Sequence, residues 1–543
     1  MNDYGLKTLF SSIFVFSLLP VDARAAAPES SRVYVVRSGE EIAVAPNTLG
    51  YNPRNYMVEE PYSQPHDPAL QPALVQSQAN CIRYPGGTFA NYWDYANDRM
   101  FPPVWTKNPG GWVDPEKIDD DPTENIRKRI ENGIGSGKGI VVNSVDDLKY
   151  AAKGGTSGHA VNVVFHMNMV TPGSDFYASE QGWNRPVNTT VGSRDWYAML
   201  DDRIARFKAM LLRVQAGPDA IPIRFIELGN EYYFPLTYVR EAFPEGADYG
   251  TACNYVAQKL KADKDLNLPD DVRIAAVACS IPGKERSKWN RSLIKTLDPR
   301  KVEDVTMHAY EAYKEPAVFT EEAFQQRLAE WIEMVDQKFE RSGADECFIR
   351  AAKPWRVWYT ETNANWEGGF KGDPSGANEW AESLVDAFSV VYLYARGNAS
   401  IVLQFQFNNQ VKPDAEITDG VRLYNRALAL MPFMQAARDA TSVAVVNFKG
   451  TSMPTLPDSP EPVVQGLVFK TDGGTPRCAL INLSGSIQHV DLARHIFPDA
   501  PTTVHLQGYK NGLADVETAQ AFETTSPASD VSLPPYSVTR IWQ

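Results

Sequence analysis

Eight short, apolar, β-prone runs recur along this chain with helical or loop material between them, and no other feature constrains its fold as strongly. They occupy residues 48–52, 81–84, 161–169, 223–228, 272–279, 304–310, 356–360 and 401–407. Near-continuous apolar runs mark strands covered on both faces, as in a parallel sheet; half-exposed strands alternate instead. Helical patterns follow several of them, at 196–215, 321–341, 377–395 and 424–437. Strand–helix alternation repeated eight times predicts an α/β fold, a (β/α)8 TIM barrel. The spacing between strands exceeds that of a minimal barrel, so the excess falls in loops. The largest, 97–147, and a second, 171–193, are expected to wall a cleft at the strand C-terminal ends, a plain surface excursion being the alternative.

After about Arg438 the texture changes. Runs at 442–448, 463–470, 478–483, 503–508 and 531–542 are separated by Gly, Pro, Asn and Asp, the signature of an antiparallel β-sandwich. Residues 32–44 also alternate like a strand and are expected to join that sandwich. The expected organisation is a signal peptide (1–25), an N-terminal strand (26–44), the catalytic barrel (45–438) and a C-terminal antiparallel β-sandwich domain (439–543). The signal rests on Lys7 before an apolar stretch at 9–19, then Pro20 and the small-x-small site Ala23-Arg24-Ala25. A disordered tail is the competing reading. Cleavage near Ala25 and export to the periplasm or the medium are expected. The apolar stretch is too short to span a bilayer, and no later run reaches about 18 apolar residues, so no membrane span is expected.

Composition narrows the partners. A formal net charge of −14 argues against nucleic acid or an anionic membrane, and a polyanionic substrate would need a local basic site. The five cysteines, Cys81, Cys253, Cys279, Cys347 and Cys478, are odd in number and lack CxxC spacing. Neither a zinc site nor a disulfide framework is expected, and a single disulfide stays open. The chain has no HExxH, no GxSxG and no phosphate-binding glycine loop with its lysine. No metal or other cofactor is expected.

Glu231 closes the fourth run and Glu361 the seventh, each where a strand gives way to a loop. A carboxylate there is costly to bury but well placed to meet a ligand above a barrel. Glycosidic hydrolysis needs such a pair: one carboxyl held protonated for the leaving oxygen, the other ionised against an oxocarbenium-like centre. A single strand-end glutamate is more commonly a solvated rim residue or an ion-pair partner, so the weight rests on the pair. Glu227 shares a face with Glu231 by strand parity and reads as a structural ion-pair partner deeper in the barrel.

Leu228-Gly229-Asn230-Glu231 resembles the Asn-Glu acid/base motif that ends the fourth strand in clan A glycoside hydrolases, and Tyr359-Thr360-Glu361 resembles the nucleophile strand of that clan. Arg83-Tyr84-Pro85-Gly86-Gly87-Thr88-Phe89 is similar to the second-strand Arg-(Tyr/Phe)-Pro-Gly-Gly motif of the family 51 α-L-arabinofuranosidases, and to the family 79 β-glucuronidase/heparanase relatives. By that resemblance Glu231 is the general acid/base and Glu361 the nucleophile of a retaining enzyme. Its carboxyl groups would stand about 5–5.5 Å apart. Its substrate would be the O-glycosidic bonds of a plant- or algal-type polysaccharide or oligosaccharide, arabinofuranosidase-like or glucuronidase-like. The resemblance also implies Asn230 on the sugar 2-hydroxyl and Arg83 beside Glu361. His308 and Tyr310, on one face of the sixth run, would line the sugar site, with Tyr310 bonded to the nucleophile.

The pattern departs from the family in two places. Thr88 stands where the arabinofuranosidase motif usually has Asn, and the eighth run carries Gln404-Phe405-Gln406 where many members have Trp. His166, Asn168, Gln404 and Gln406 are candidates for sugar hydroxyls; satisfied barrel-interior polar groups are an equal reading. Trp93, Tyr232, Tyr233, Trp358 and Trp366 are candidates to stack on sugar rings or simply to pack. Two rival functions stand beside hydrolysis: a non-catalytic carbohydrate-binding protein on a degenerate barrel, and a transglycosylase using the same pair.

Overall fold

Eight parallel strands close into a barrel: Leu49–Asn52, Cys81–Tyr84, Asn162–Met167, Phe225–Leu228, Arg273–Val277, Asp304–Tyr313, Arg356–Trp366 and Ala399–Phe405, in that order round the ring. All eight fall on the apolar runs. The computed structural model describes residues 33–52, 70–100 except 88–89, 92 and 96–98, 145–153, 160–170, 190–313 except 235–238 and 240–241, 320–366, 380–405, 410–414, 420–448, 453–498 and 503–543 except 516. The expected export signal, Thr88, Gln406, the side chain of Trp366 and most of the loops at 97–147 and 171–193 lie outside the described residues.

Alternation along each strand sorts the side chains into two cores. Cys81, Val164, Phe225, Ala275, Trp358, Ile401 and Leu403 pack together inside the barrel. Phe225 and Trp358 meet edge-to-face at 5.6 Å, and the indole nitrogen of Trp358 donates to buried Asp304 at 3.0 Å. Trp358 therefore floors the barrel and is not a sugar-stacking surface. The intervening residues face the helices and form the larger core with them. Local chemistry starts those helices: Ser193 accepts from the Trp196 amide and Thr320 from the Ala323 amide, each at 3.2 Å, caps worth about 1 kcal/mol apiece.

The C-terminal portion is built on a seven-stranded antiparallel sheet. Its order is Arg37–Ala43, Ser442–Asn447, Val464–Lys470, Arg477–Asn482, Ser537–Trp542, Thr503–Lys510 and Gln520–Pro527. Val33–Val35, Gln488–Asp491 and Val531–Leu533 form a second, smaller sheet. The apolar run at 531–542 is thus two strands in different sheets. Pro534 and Pro535 lack the donors a ladder needs, and Tyr536 turns the chain at a φ of 44°. Gln520–Pro527 has no apolar pattern to read because it is an edge strand exposed along most of its length.

The helix Asn425–Ala437 joins the two parts. It is buried almost all round, which its low amphipathicity matches, because the barrel covers one side and the large sheet the other. Further bonds span the seam: Trp380 donates to the Tyr536 carbonyl at 2.6 Å, and Asn425 to that of Glu517 at 2.9 Å. All five cysteines are buried free thiols. No helix among the described residues is long and apolar enough to cross a membrane.

Candidate active site

Arg83 points inward from the second strand and is fully buried. Its planar fork serves three partners: Nε lies 2.5 Å from Glu227, Nη1 lies 2.5 Å from Glu361, and Nη2 donates to the Asn230 side-chain carbonyl at 2.9 Å. Burial disfavours its charge, but Glu227 and Glu361 outweigh burial and raise the guanidinium pKa further. A lysine carries three donors on a single nitrogen and does not reproduce this spread, planar fork.

Glu231 does not sit on the fourth strand. That strand ends at Leu228, and the chain then passes through Gly229 (φ 93°) to Glu231 (φ 50°). A Cβ at Gly229 would lie 2.2 Å from the Tyr232 ring, so the tight turn requires glycine. Strand parity therefore does not relate Glu227 to Glu231, as the alternation argument had it. Glu227 stays in the barrel wall, while the turn swings Glu231 over the mouth. There one Glu231 oxygen accepts from the Tyr233 hydroxyl at 3.0 Å and lies 3.0 Å from His308 Nδ1. The turn is pinned by Asn91, whose amide donates to the Asn230 carbonyl at 2.9 Å, and the buried Nδ2 of Asn230 has no hydrogen-bond partner among the described residues.

Glu361 owes its direction to a β-bulge. Met307 pairs with Tyr359 but His308 pairs with Glu361, leaving Thr360 as the extra residue, and the register with the eighth strand also shifts here. Trp358 and Thr360 both face inward, so simple alternation would turn Glu361 toward the helices. The bulge returns it to the barrel, where Arg83 and the Tyr310 hydroxyl both hydrogen-bond it. Thr360 is itself anchored twice: its hydroxyl donates to Glu227 at 3.0 Å, and its carbonyl accepts from Asn52 at 3.0 Å.

His308 links the two glutamates. Its Nδ1 is 3.0 Å from Glu231 and 3.6 Å from Glu361. Burial works against the imidazolium, but Glu361 and then Glu231 outweigh it, and the His308 pKa is raised. His166 titrates the other way. Burial, then the charges of Arg83 and His308, hold it well below its ordinary value, so its ring is neutral beside a cation. Neither His166 nitrogen has a hydrogen-bond partner among the described residues. Glu361 is the more enclosed carboxyl, with 7% of its side chain exposed against 21% for Glu231.

The structure thus gathers Glu231, Glu361, Arg83, Asn230, His308, Tyr310 and His166 round one point. It separates others. Gln404 faces outward, between inward Leu403 and Phe405, and its amide donates to the Ser389 hydroxyl at 3.0 Å and the Asp386 carbonyl at 3.3 Å on the helix behind. It is a strand–helix bond and not a sugar ligand, because period-two alternation assigns one face to each of these neighbours. Phe405 instead packs edge-on against Tyr310 at 5.4 Å. Asn168 is committed to its own turn, donating to the Trp93 carbonyl at 3.3 Å and accepting from the Val170 amide at 3.1 Å. Trp93 is buried edge-on against Tyr84, and Tyr232 is buried with its hydroxyl accepting from the Met169 amide. Tyr233 serves the Glu231 carboxylate and is not a stacking platform. Thr360, Asn52 and Asn91 were not singled out by the sequence. Of these, Asn52 at the end of the first strand carried a usable signal, a polar side chain closing an apolar run. Among the described residues no group of His, Cys, Asp or Glu is arranged to hold a metal ion.

No sequence family matches this chain, and no curated protein sequence matches it. Solved structures do. A family 51 α-L-arabinofuranosidase from Bifidobacterium longum aligns over 94% of this chain and 99% of its own, with a TM-score of 0.55 at 14% identity. The family 51 arabinofuranosidase of Xanthomonas axonopodis pv. citri aligns over the same shares with a TM-score of 0.54 at 15% identity. A 4-O-α-L-rhamnosyl-β-D-glucuronidase from Fusarium oxysporum 12S covers 94% of this chain and 100% of its own, with a TM-score of 0.50 at 12% identity. At these identities the likeness is one of architecture: this chain has a (β/α)8 barrel with a β-sheet domain, the fold of those glycoside hydrolases.

Proposed function

We propose that this chain is a retaining glycoside hydrolase in which Glu361 attacks the anomeric carbon of an O-glycoside while Glu231 protonates the departing oxygen. Glu231 then takes a proton from water, whose oxygen releases the sugar from Glu361. The observation that carries this reading is the contact of one nitrogen, His308 Nδ1, with both carboxylates, at 3.0 and 3.6 Å. Two oxygens that touch one atom cannot stand farther apart than those distances laid end to end. Such closeness supports the retaining spacing of about 5–5.5 Å over the range of about 6.5–9.5 Å in which inverting enzymes admit a water.

The charges support the same roles. Arg83 favours an ionised Glu361, and Tyr310 aims one of its oxygens. Arg83 and His308 are the basic groups set against Glu227, Glu231 and Glu361. Asn230 offers its unused Nδ2 beside Glu231, suited to a sugar hydroxyl. Glu231, Glu361 and Arg83 together speak against a purely sugar-binding barrel. The substrate class proposed is an O-glycoside of the arabinofuranoside or glucuronide type, and the first 25 residues are proposed to direct export.

The test is paired. Glu361→Ala should lower turnover by about 10³-fold or more, with azide restoring part of it as a glycosyl azide of inverted configuration. Glu231→Ala should retain some activity on aryl glycosides with good leaving groups and lose it on natural linkages. Wild-type hydrolysis of a natural glycoside by either variant would sink the assignment.

A further inference from the structure

Three arginines converge at the seam between the barrel and the large sheet, at the end opposite the glutamates. Arg438 follows the helix Asn425–Ala437, which runs back from the mouth to the start of the barrel strands. There Asn47, two residues before the first strand, donates to Asp439 at 3.0 Å. Arg477 and Arg540 lie on adjacent strands of the sheet. Ala479 pairs with Arg540, so alternation places Arg477 on the same face, beside Trp542. The Arg540 guanidinium sits 4.4 Å from the centre of the Trp542 ring, and His505 stacks on that ring at 5.5 Å. Arg477 donates to the Arg438 carbonyl, and Arg438 donates to Gln78. All three arginines are partly exposed, so solvent reaches the group.

The charge here is not balanced. Among the described residues Asp439 is the acidic group facing Arg438 and Arg477, and no carboxylate faces Arg540. The Nε atoms of Arg438 and Arg540 are buried without a hydrogen-bond partner among the described residues. Burial first, then repulsion from Arg477 and Arg438, pulls the Arg540 guanidinium down to about 10. Such a concentration of positive charge is unexpected in a chain whose net charge is −14. A guanidinium fork fits the oxygens of sulfate, phosphate and carboxylate groups, and partial burial strengthens each such bond.

We propose that this seam binds a multivalent oxyanion, held by Arg438, Arg477 and Arg540 between the barrel and the sheet. It lies away from the reacting sugar, so it is a second site and not a part of the substrate cleft. Two sources share the chemistry: a free inorganic anion, and a sulfate or uronate group carried on a saccharide.

Titration calorimetry of the full chain with sodium sulfate at fixed ionic strength tests it, alongside Arg540→Gln and Arg477→Gln. Wild type should bind sulfate saturably, and each variant should lose about tenfold or more in affinity. Turnover of a neutral aryl glycoside should be unchanged in both. A sulfated or uronate-bearing oligosaccharide that binds more tightly than free sulfate assigns the site to a saccharide; equal or weaker binding assigns it to the free anion. Melting temperatures separate a structural role. Without sulfate, Arg540→Gln should melt no lower than wild type, because a repelling charge is gone, and only wild type should rise when sulfate is added. Absence of saturable binding overturns the proposal. So does an equal sulfate response in wild type and variant, which marks general salting, and so does an Arg540→Gln protein that already melts lower than wild type in the absence of sulfate.

Discussion

The hydroxyl of Thr360 donates to Glu227 at 3.0 Å inside the barrel. This bond joins the bulge that turns Glu361 inward to the carboxylate that orients Arg83, so backbone shape and charge at the proposed nucleophile are held by one contact. Glu227 is fully buried and is the partner of Arg83 farthest from the mouth.

Removing that contact should impair catalysis without touching a catalytic atom. Thr360→Val keeps the shape of the side chain and deprives a buried carboxylate of a donor, at a cost of about 1–3 kcal/mol. We expect kcat to fall roughly tenfold or more with little change in KM, measured by steady-state kinetics. Glu227→Leu breaks a buried ion pair and should destabilise the fold by about 3–5 kcal/mol in urea unfolding.

Gly229→Ala should be far more damaging than a typical surface change. The new methyl would collide with the Tyr232 ring at a φ of 93° that alanine rarely adopts. Relief requires moving the turn that carries Asn230 and Glu231. A soluble, folded variant by circular dichroism with turnover near wild type would show that the turn is more compliant than its geometry implies.

His308 gives the site a defined pH signature. Burial opposes its charge, but Glu361 and Glu231 raise its pKa above the ordinary 6.5. Its charged form therefore contributes stability fully below about 6.5, and that contribution is lost as pH rises through the higher native value. The stability gap between wild type and His308→Gln should be widest in mildly acidic buffer and narrow toward alkaline pH. Denaturant titrations at several pH values measure it; a gap that widens with pH contradicts the assignment.

Gln404→Met should separate packing from recognition. The variant loses bonds to Ser389 and Asp386 on the helix behind the eighth strand, worth about 1 kcal/mol each. Its melting temperature should fall by a few degrees. Its KM should stay at the wild-type value, since the side chain faces away from the mouth.

Much of this architecture was legible in the chain. The eight apolar runs became the eight strands, because a strand buried on both faces must be apolar throughout and a helix must show its longer period. The helices began near their caps for the same local reasons. The edge strand Gln520–Pro527 was not legible, since exposure removes the pattern. Nor was the break at Pro534 and Pro535, where the residues on either side are as β-prone as a continuous strand.

Glu231 and Glu361, which the resemblance paired with Arg83, were the residues the sequence could nominate by itself, since composition and position along a run are local properties. Their meeting was not local. Glu361 faces the barrel through a bulge that alternation forbids, and Glu231 reaches the mouth through a glycine turn past the end of its strand. Alternation assigns one face per residue and assumes an unbroken ladder; it has no term for an extra residue or a left-handed turn. Only the closed barrel, which brings the second, fourth, sixth and seventh strands round one axis, decided that Arg83, Glu231, His308 and Glu361 share a site.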